Sequence, residues 1–535
     1  GVVVTLYQDP ERHWGRMFVE GVTLVLQVMA LVSLFLSVIL VLNTMTALIT
    51  QQTDQIGVIK AIGGRSTTVL RVYLVEVLVY GLAALLISLP LVALFAFGAS
   101  RWFLNLFNVE VEVFQVSARA IIVQALAAVL APLLAALWPV LKGAAVTVRE
   151  AIASYGLGGD FGTSRLDRAV EWIGGRLLPS PYGVSLGNVF RRKGRLALTL
   201  LVLVTAGVMT LVVMSLISST RLTLDNEMAR RLYDVRIGFV QDQPEADLLA
   251  VVDGVEGTGD AQVWYSRNTT LLRQGQRLQD SAGLGAQLTG IPAGAEMYRP
   301  IIAAGRWLQP GDQRAIVISQ ETAEKNAIAV ADEVTLDLGD LGEGTWQVVG
   351  TYRVVYGGGF VTEAIYAPLE EVLAVAGEPG RATQVLVQTD ASSLAGITAV
   401  ADELKTAFQN EGKAIDFYTT SIKLEERAYV DNQFGTVVSM LLGLAMLVAT
   451  VGGIGLMGSL GISVVERRRE IGVMRAVGAR SRTIMGLFIM EGVLQGVLSW
   501  LVAVPLAFVL AQPLARALGQ TMIEVDLDYA FNYPF

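Results

Sequence analysis

Long apolar runs set the plan of the chain. They cover about Met17 to Ile49, Val69 to Phe97, Ala118 to Leu141, Leu196 to Ile217, Phe434 to Val464 and Thr483 to Ala511, the fourth being the shortest. Each suffices to cross a bilayer as a helix, the longer ones with tilt. The third ends at Trp138-Pro139, an aromatic at the level expected for a membrane interface. Between the fourth and fifth runs, from about Ser218 to Asp431, the pattern changes. Strand-like stretches lie at Ala315–Ser319, Val334–Leu338, Trp346–Val355, Ala364–Ala367, Gln384–Gln388 and Ile415–Tyr418, with helical patterns at Gln320–Ala327 and Ser392–Gln409. Mixed order without strict alternation predicts an α+β domain, and about two hundred residues can bury their own core. The chain therefore reads as an α-helical integral membrane protein with an α+β extracytoplasmic domain.

One polar stretch occurs twice between apolar runs. The first copy, here hook one, reads Ile56-Gly-Val-Ile-Lys-Ala-Ile-Gly63-Gly-Arg65-Ser66 and continues to Glu76, Gly81 and Pro90. Hook two reads Ile471-Gly-Val-Met-Arg-Ala-Val-Gly478-Ala-Arg480-Ser481 and continues to Glu491, Gly496 and Pro505. A constant offset aligns both without a gap and roughly a third of the positions are identical, which is duplicated architecture. Ile471, Met474 and Val477 recur at helical spacing, as do Ile56, Ile59 and Ile62, so each hook is expected to be a short amphipathic helix. Gly63 and Gly478 are placed to end those helices in a left-handed conformation, and Ser66 and Ser481 to cap the helices that follow. Such a hook between two spans is a docking surface for a soluble partner. The bland alternative is an ordinary charged intracellular loop, and the duplication favours docking.

Composition narrows the classes. The 535 residues are 53% hydrophobic, above globular usage, and 16% charged, below it, and the formal net charge is −8. No basic stripe with interleaved aromatics appears, so nucleic-acid binding is not expected. There is no cysteine and one histidine, His13, which excludes disulfides, thiolate chemistry and His-rich metal sites. His13 beside Trp14 reads as structural. No Gly-x-x-x-x-Gly-Lys-Ser/Thr loop exists, so nothing here cradles a triphosphate. Gly357-Gly358-Gly359 follows a strand and reads as a flexible loop. Glu76 and Glu491 fall just inside spans, where a carboxylate is costly and usually functional unless it stays wet at the interface. Asp and Glu in the large domain are scattered, and no pair stands out as general acid and base.

Charge sets the orientation. Arg467, Arg468, Arg469, Arg475, Arg480 and Arg482, hook one, and the linker carrying Arg149, Arg165, Arg168, Arg176, Arg191, Arg192, Lys193 and Arg195 hold most of the short-loop cations. They belong in the cytoplasm. Alternating from there, the large domain and the loops near Glu110 and Glu524 lie outside.

The residues also carry a resemblance. Glu466-Arg-Arg-Arg-Glu470-Ile-Gly-Val-Met-Arg-Ala-Val-Gly478-Ala-Arg480, with Glu491 after it, resembles an FtsX-like ABC transporter permease domain. Leu186-Gly-Asn188-Val-Phe-Arg-Arg192-Lys-Gly-Arg195 resembles that family's amphipathic lead-in to the first helix of a permease half. Gly305-Arg306-Trp307-Leu308, with the strand-helix-strand to Val349-Gly350, is similar to the MacB-type extracytoplasmic core. By that resemblance residues 1–16 end a truncated external domain, of which Gly1–Trp14 is the last strand. Residues 17–142 are a first FtsX-like transmembrane domain, 143–194 a cytoplasmic linker and lead-in, and 195–217 a span. Residues 218–431 are a MacB-like external domain, and 432–535 a second FtsX-like domain of two spans. Glu110-Val-Glu112 corresponds to Glu524-Val-Asp526, after which the first half has one more span, so a fragment of a longer chain is expected.

The resemblance implies a permease subunit in the bacterial plasma membrane, in contact with lipid, without its own nucleotide site or cofactor. A separate ABC-type ATPase dimer would bind ATP and Mg and dock on Ile56, Ile59, Lys60, Ile62, Gly63, Arg65, Glu466, Arg467, Glu470, Ile471, Met474, Arg475, Val477, Gly478 and Arg480. Its motion would be passed to the external domain for export or extraction of a lipophilic or peptide-like substrate, with room for an external substrate-binding or periplasmic partner. Hook one departs from the pattern, with Gln52, Thr53 and Asp54 where hook two has Arg467, Arg468 and Arg469. Two other classes stay open. One is a same-fold signalling or cell-division protein that activates an external partner. The other is an ion-coupled secondary transporter, which charged residues buried mid-span would favour, and these spans have almost none.

Topology is directly testable in a chain without cysteines. In spheroplasts, Ser281→Cys should react with an impermeant maleimide without opening the membrane, and a cysteine placed among Arg467–Arg482 should react only after it is opened. The reverse pattern would overturn the orientation.

Overall fold

The computed structural model describes residues 16–105, 110, 113–114, 117–153, 187, 190, 193–273, 275–278, 286–292, 294–353, 363–522 and 526–531. Gly1–Trp14, the linker arginines from Arg165 to Arg192, Glu112, Ser281, Gly357–Gly359 and Glu524 lie outside them. The chain forms two compact units. One holds residues 1–21, 218–436 and 515–530, and the other 22–217, 437–514 and 531–535.

The second unit is helical. Helix α1 (Arg16–Gln51) leads into the nine-residue α2 (Thr53–Ala61), followed by α3 (Ser66–Asn105), α4 (Ala118–Ala145) and α5 (Val148–Ala153). Later come α6 (Lys193–Arg230), then α11 (Lys423–Glu466), α12 (Arg468–Ala476) and α13 (Ser481–Met522), parts of which belong to the first unit. Six helices, α1, α3, α4, α6, α11 and α13, are long and apolar enough to cross a membrane. On α3 and α4 the exposed side chains include Leu86, Phe95 and Leu134, an outward apolar surface that water would not support. Inside, Met45, Ile49, Ile56, Val69, Tyr73, Val77, Ala136, Val140 and Ala144 form one core cluster. Helices α6 and α11 approach closely because glycines face them: a Cβ on Gly452 would stand 2.8 Å from that of Ala206, and one on Gly455 3.0 Å from Val202.

The fourth apolar run proves not to mark the shortest helix. Helix α6 has 38 residues, and α4, with 28, is the shortest of the six. The apolar run stops at Ile217 but the helix does not, because Ser219, Thr223 and Glu227 recur every fourth residue as a buried polar stripe in the other unit. The segment from Asp526 lies along that stripe: the amides of Asp528 and Ala530 donate to Thr223 Oγ1 (2.8 Å) and Ser219 Oγ (3.0 Å), and Asn226 Nδ2 donates to Asp528 (2.7 Å).

The first unit is built on an eleven-stranded mixed sheet, consistent with α+β. Its strands are β1 (Val235–Pro244), β2 (Thr258–Arg273), β3 (Gln276–Arg277), β4 (Ala286–Ile291), β5 (Ile301–Gly305), β6 (Ala315–Ser319), β7 (Glu333–Asp337), β8 (Glu343–Arg353), β9 (Glu363–Pro368), β10 (Arg381–Thr389) and β11 (Ile415–Ile422). The order is β11-β1-β10-β2-β4-β9-β6-β8-β5, with β3 on β2 and β7 on both β2 and β8. The β4–β9 and β6–β8 pairs are parallel. Strand β2 is shared: Thr258–Trp264 pairs with β10, and Tyr265–Arg273 with β4, β7 and β3.

Each half of the sheet has its own helices and core. On one half lie α7 (Glu245–Asp253) and α10 (Leu394–Asn410). Ser393 caps α10 by accepting from the Gly396 amide (3.2 Å), and Ile397, Ala401, Leu404 and Phe408 bury one stripe against Val235, Ile237 and Val385. Phe408 meets Phe239 edge-on at 5.0 Å, and its truncation to alanine should cost about 3–5 kcal/mol. On the other half, α8 (Gln320–Lys325) and α9 (Leu369–Ala376) cover Leu288, Ile316, Ile318, Leu336, Trp346 and Ile365. A third cluster gathers Tyr233, Trp264, Tyr298, Tyr352 and Tyr366. Burial pushes the Tyr298, Tyr352 and Tyr366 hydroxyls above their ordinary range, so they stay neutral. The strands named from sequence from Ala315 onward are all present, Ala315–Ser319 with the same ends and the others with one or both ends shifted, and β1 to β5 precede them.

The Gly305-Arg306-Trp307-Leu308 stretch is fastened by a bidentate pair, Arg306 to Asp312 at 2.7 and 2.6 Å, with the Gln309 amide donating to the same carboxylate. The Arg306 hydrogen bonds hold the Asp312 carboxyl below the usual aspartate range. A depressed carboxyl adds stability that is full above about pH 4, the unfolded aspartate range, and is lost as pH falls through the folded value. Arg306 is partly exposed, so Asp312→Asn should cost only about 0.5–1 kcal/mol near neutrality. Thermal unfolding of the whole chain across pH 6 to 2 should bring variant and wild type together at the acid end. A constant gap would remove Asp312 as the titrating group.

Candidate functional site

The two hooks fold alike where the sequence repeats. Helices α2 and α12 have nine residues each and follow directly on the ends of α1 and α11. Both end in the same two-bond turn. The amides of Gly63 and Gly64 donate to Lys60 O (3.0 Å) and Ile59 O (2.8 Å), and those of Gly478 and Ala479 to Arg475 O (3.0 Å) and Met474 O (2.9 Å). The turn requires positive φ at its pivot, and Gly63 has +97° and Gly478 +100°. The expected serine caps are shifted by one residue. The Arg65 carbonyl accepts from the Thr68 and Val69 amides and the Arg480 carbonyl from those of Thr483 and Ile484, so Arg65 and Arg480 stand at the N-cap position and Ser66 and Ser481 are the first helical residues.

The apolar residues of hook one divide between two sides. Ile56 is buried in the core cluster with Ile49, Val69 and Tyr73, and Ile59 packs against it. Ile62 is 82% exposed and Val58 62%. In hook two Ile471 and Met474 are half-buried, whereas Val477 is 86% and Val473 59% exposed. Val58 aligns with Val473 and Ile62 with Val477, so the outward aliphatic pair is duplicated. Reading by helical period grouped Ile56 and Ile59 with Ile62 on one face, whereas the structure buries Ile56 and exposes Val58 and Val473. A nine-residue helix with aliphatics on both sides does not reveal which side faces its neighbours. The signal for Val58 and Val473 was their aliphatic identity at aligned positions.

The charged residues also divide. Arg65, Arg468, Arg469, Glu470, Arg475 and Arg480 are exposed, as are Gly63 and Gly478. Lys60 turns inward, and its Nζ donates to Ala144 O and Val146 O at 2.6 Å each. It thereby closes the C-terminal carbonyls of α4. Glu466 pairs with Arg195 at 2.5 Å, and Arg467 with Glu491 at 3.3 Å. Ser463 Oγ donates to Glu491 Oε1 (3.4 Å) and accepts from Arg195 (3.3 Å), and Thr199 and Ser459 share a hydrogen bond of 2.8 Å. Glu491 is 3% exposed, so removing Arg467 would strand a carboxylate at a cost of about 3–5 kcal/mol. Its counterpart Glu76 is half-buried and accepts from Tyr80 at 3.2 Å. Among the described residues no group of three or more His, Cys, Asp or Glu is placed to hold a metal ion.

Family models match most of the chain. The FtsX-like permease C-terminal family matches residues 27–147 and 442–535, and the MacB-like periplasmic core domain matches residues 196–407. An uncharacterized ABC transporter permease of Methanocaldococcus jannaschii is 25% identical over 206 residues, 38% of this chain and 49% of that protein. The macrolide export ATP-binding/permease protein MacB of Neisseria meningitidis is 40% identical over 78 residues, 15% of this chain and 12% of that protein. The MacB of Aggregatibacter actinomycetemcomitans is 30% identical over 153 residues, 28% and 23%. The chain thus spans less than half the length of each of these relatives.

The turn geometry gives a local prediction. Gly478→Ala should destabilise hook two by about 1 kcal/mol, because alanine resists the left-handed conformation. Gly472→Ala, at a helical glycine, should instead be neutral or stabilising. Hydrogen exchange of the hook amides in the two variants measures both, and equal protection would contradict the assignment.

Proposed function

The chain belongs to the FtsX-like permease family with a MacB-like periplasmic core, and on that footing we propose that it couples ATP hydrolysis by a separate ABC-type ATPase dimer to motion of its external domain. One observation carries the reading: the two hooks repeat the same nine-residue helix, the same glycine turn and the same exposed aliphatic pair. Two equivalent surfaces on one chain suit two identical subunits. The aliphatic pairs Val58 with Ile62 and Val473 with Val477 are the contact residues, and the exposed Arg468, Arg469, Arg475 and Arg480 add attraction to an acidic rim at hook two. ATP and Mg belong to the partner. The chain sits in the bacterial plasma membrane with hooks cytoplasmic, its apolar helix faces against lipid and its sheet unit extracytoplasmic. The cargo is lipophilic or peptide-like, for export or extraction, a reading to which the macrolide export names of the MacB relatives lend support.

Co-purification with the ATPase subunit tests the docking surface. Val473→Asp with Val477→Asp, and separately Val58→Asp with Ile62→Asp, should each weaken association about tenfold or more at any salt. Arg475→Glu should weaken it by less, and only at low ionic strength, because exposed charge contacts are small and screened. Unchanged association of both aspartate pairs would reject the hooks as the docking surface.

A further inference from the structure

Strand β2 changes partners along one of its edges, and a gap is left at the change. Up to Trp264 it pairs with β10, and from Thr270 with β7. Between them Tyr265–Thr269 pairs with β4 on the opposite edge. The main-chain bonds tell the two edges apart. The Ser266 amide donates toward β10, to Thr383 Oγ1 at 2.7 Å, whereas the Leu271 carbonyl accepts from the Leu278 amide, next to β3, at 2.8 Å. Leu272 pairs with both β3 and β7, so those two strands lie on opposite edges. Main-chain groups alternate between the edges of a strand, so those of Ser266 and Asn268 face the gap. There the Ser266 carbonyl and the amide and carbonyl of Asn268 meet no strand among the described residues.

The gap opens into a crevice of about 260 Å³ within the sheet unit. One wall is Ser266, Arg267 and Asn268, and the facing wall is Thr383 and Gln384 of β10 with Asp416 and Thr419 of β11. A bulge shapes the facing wall: residues 417–420 stand opposite Ile237 alone, between the pairs Arg236–Ser421 and Gly238–Asp416. The bulge can close on β1 because Gly238 has no side chain. A Cβ there would collide with Thr419 Oγ1, and the Gly238 amide donates to Thr420 Oγ1 at 3.1 Å. Both carboxylate oxygens of Asp416 are engaged, by the Tyr418 amide and the Thr419 hydroxyl at 3.0 Å each. The Arg267 guanidinium, by contrast, has no hydrogen bond or ion pair among the described residues, and neither has the Asn268 side chain.

An open strand edge takes an added strand, with main-chain bonds giving affinity and flanking side chains giving preference. A guanidinium without a partner favours a carboxylate. We propose that the crevice binds an extended peptide segment bearing a carboxylate, which pairs with the free edge at Ser266 and Asn268 and sets its acid on Arg267. The five residues Tyr265–Thr269 span roughly 17 Å, room for a segment of about three to five residues. Val240, 66% exposed at the crevice, offers such a segment an apolar contact. Binding here involves the sheet unit alone and is independent of ATPase docking at the hooks.

The test uses the full chain in nanodiscs and a random pentapeptide library carrying a photo-reactive group, offered with free and with amidated carboxyl ends. Cross-links should map to residues 266–268 or 383–384, and the retained peptides should carry a carboxylate. N-methylation of alternate amides in a retained peptide should weaken it about tenfold or more, because ladder bonds are lost. Arg267→Met should weaken the acidic peptide about tenfold and leave its neutral amide analogue unchanged, a split that a merely structural arginine would not give. The variant should unfold at the same temperature as the parent, since Arg267 has no partner to lose. Retention of no peptide, cross-links only elsewhere, full affinity after N-methylation, or equal loss of acidic and neutral peptides in Arg267→Met would each overturn the assignment. Hook variants that release the ATPase should bind the peptide unchanged, so failure of either reading leaves the other standing.

Discussion

The ends of the long helices leave carbonyl groups without partners, and the layout at the hooks follows from where those carbonyls find donors. The last carbonyls of a helix have no intrahelical donors, so each helix end is met by its own turn, by another side chain or by water. At the ends of α2 and α12 the solution is internal: two amides fold back onto the preceding turn, which only a left-handed pivot permits. At the end of α4 it comes from another element, the Lys60 ammonium on Ala144 and Val146. That single side chain fixes hook one against α4, and the burial of Ile56 beside it follows from the same approach.

Duplication supplied the frame, and the halves then diverged where a buried polar group had to be answered. Glu76 and Glu491 occupy equivalent positions, yet one is half-buried beside Tyr80 and the other is enclosed with Arg467 and Ser463. A carboxylate as enclosed as Glu491 requires a cation, and an arginine supplies it with geometry to spare for a second acceptor. At the equivalent place of hook one Gln52 accepts from Tyr73, and Glu76 is half-buried and accepts from Tyr80.

Much of this was legible in the sequence, and the rest failed for identifiable reasons. The repeat gave both hooks and both pivot glycines, because a left-handed turn admits few residues. The apolar runs located the six long helices but underestimated α6, α11 and α13, since a helix leaving an apolar environment can continue on a different stripe, as Ser219, Thr223 and Glu227 do. Strand β2 is half-buried and interrupted by Ser266, Arg267 and Asn268, so it lacks the apolar alternation that marks a strand. The hook charges were read as part of an exposed docking surface. Arg468 and Arg469 are exposed, whereas Lys60 and Arg467 turn to partners 84 or more and 24 residues away. Identity is local, whereas pairing depends on the tertiary arrangement.

Helices α6 and α11 are braced to each other at two levels. Within the helical unit the ties are Thr199 to Ser459, Arg195 to Glu466, and the close passage at Gly452 and Gly455. Within the sheet unit they are Arg427 to Asp225 at 2.8 Å and Arg231 to Glu426 at 2.7 Å, the latter from the residue just after α6. There Lys423, the first residue of α11, pairs with Asp234 at 2.9 Å just ahead of β1, while β11 runs directly into that helix. Two helices fastened at both levels resist sliding past one another. Strand β1 follows α6 and strand β11 runs into α11, and the two strands pair with each other.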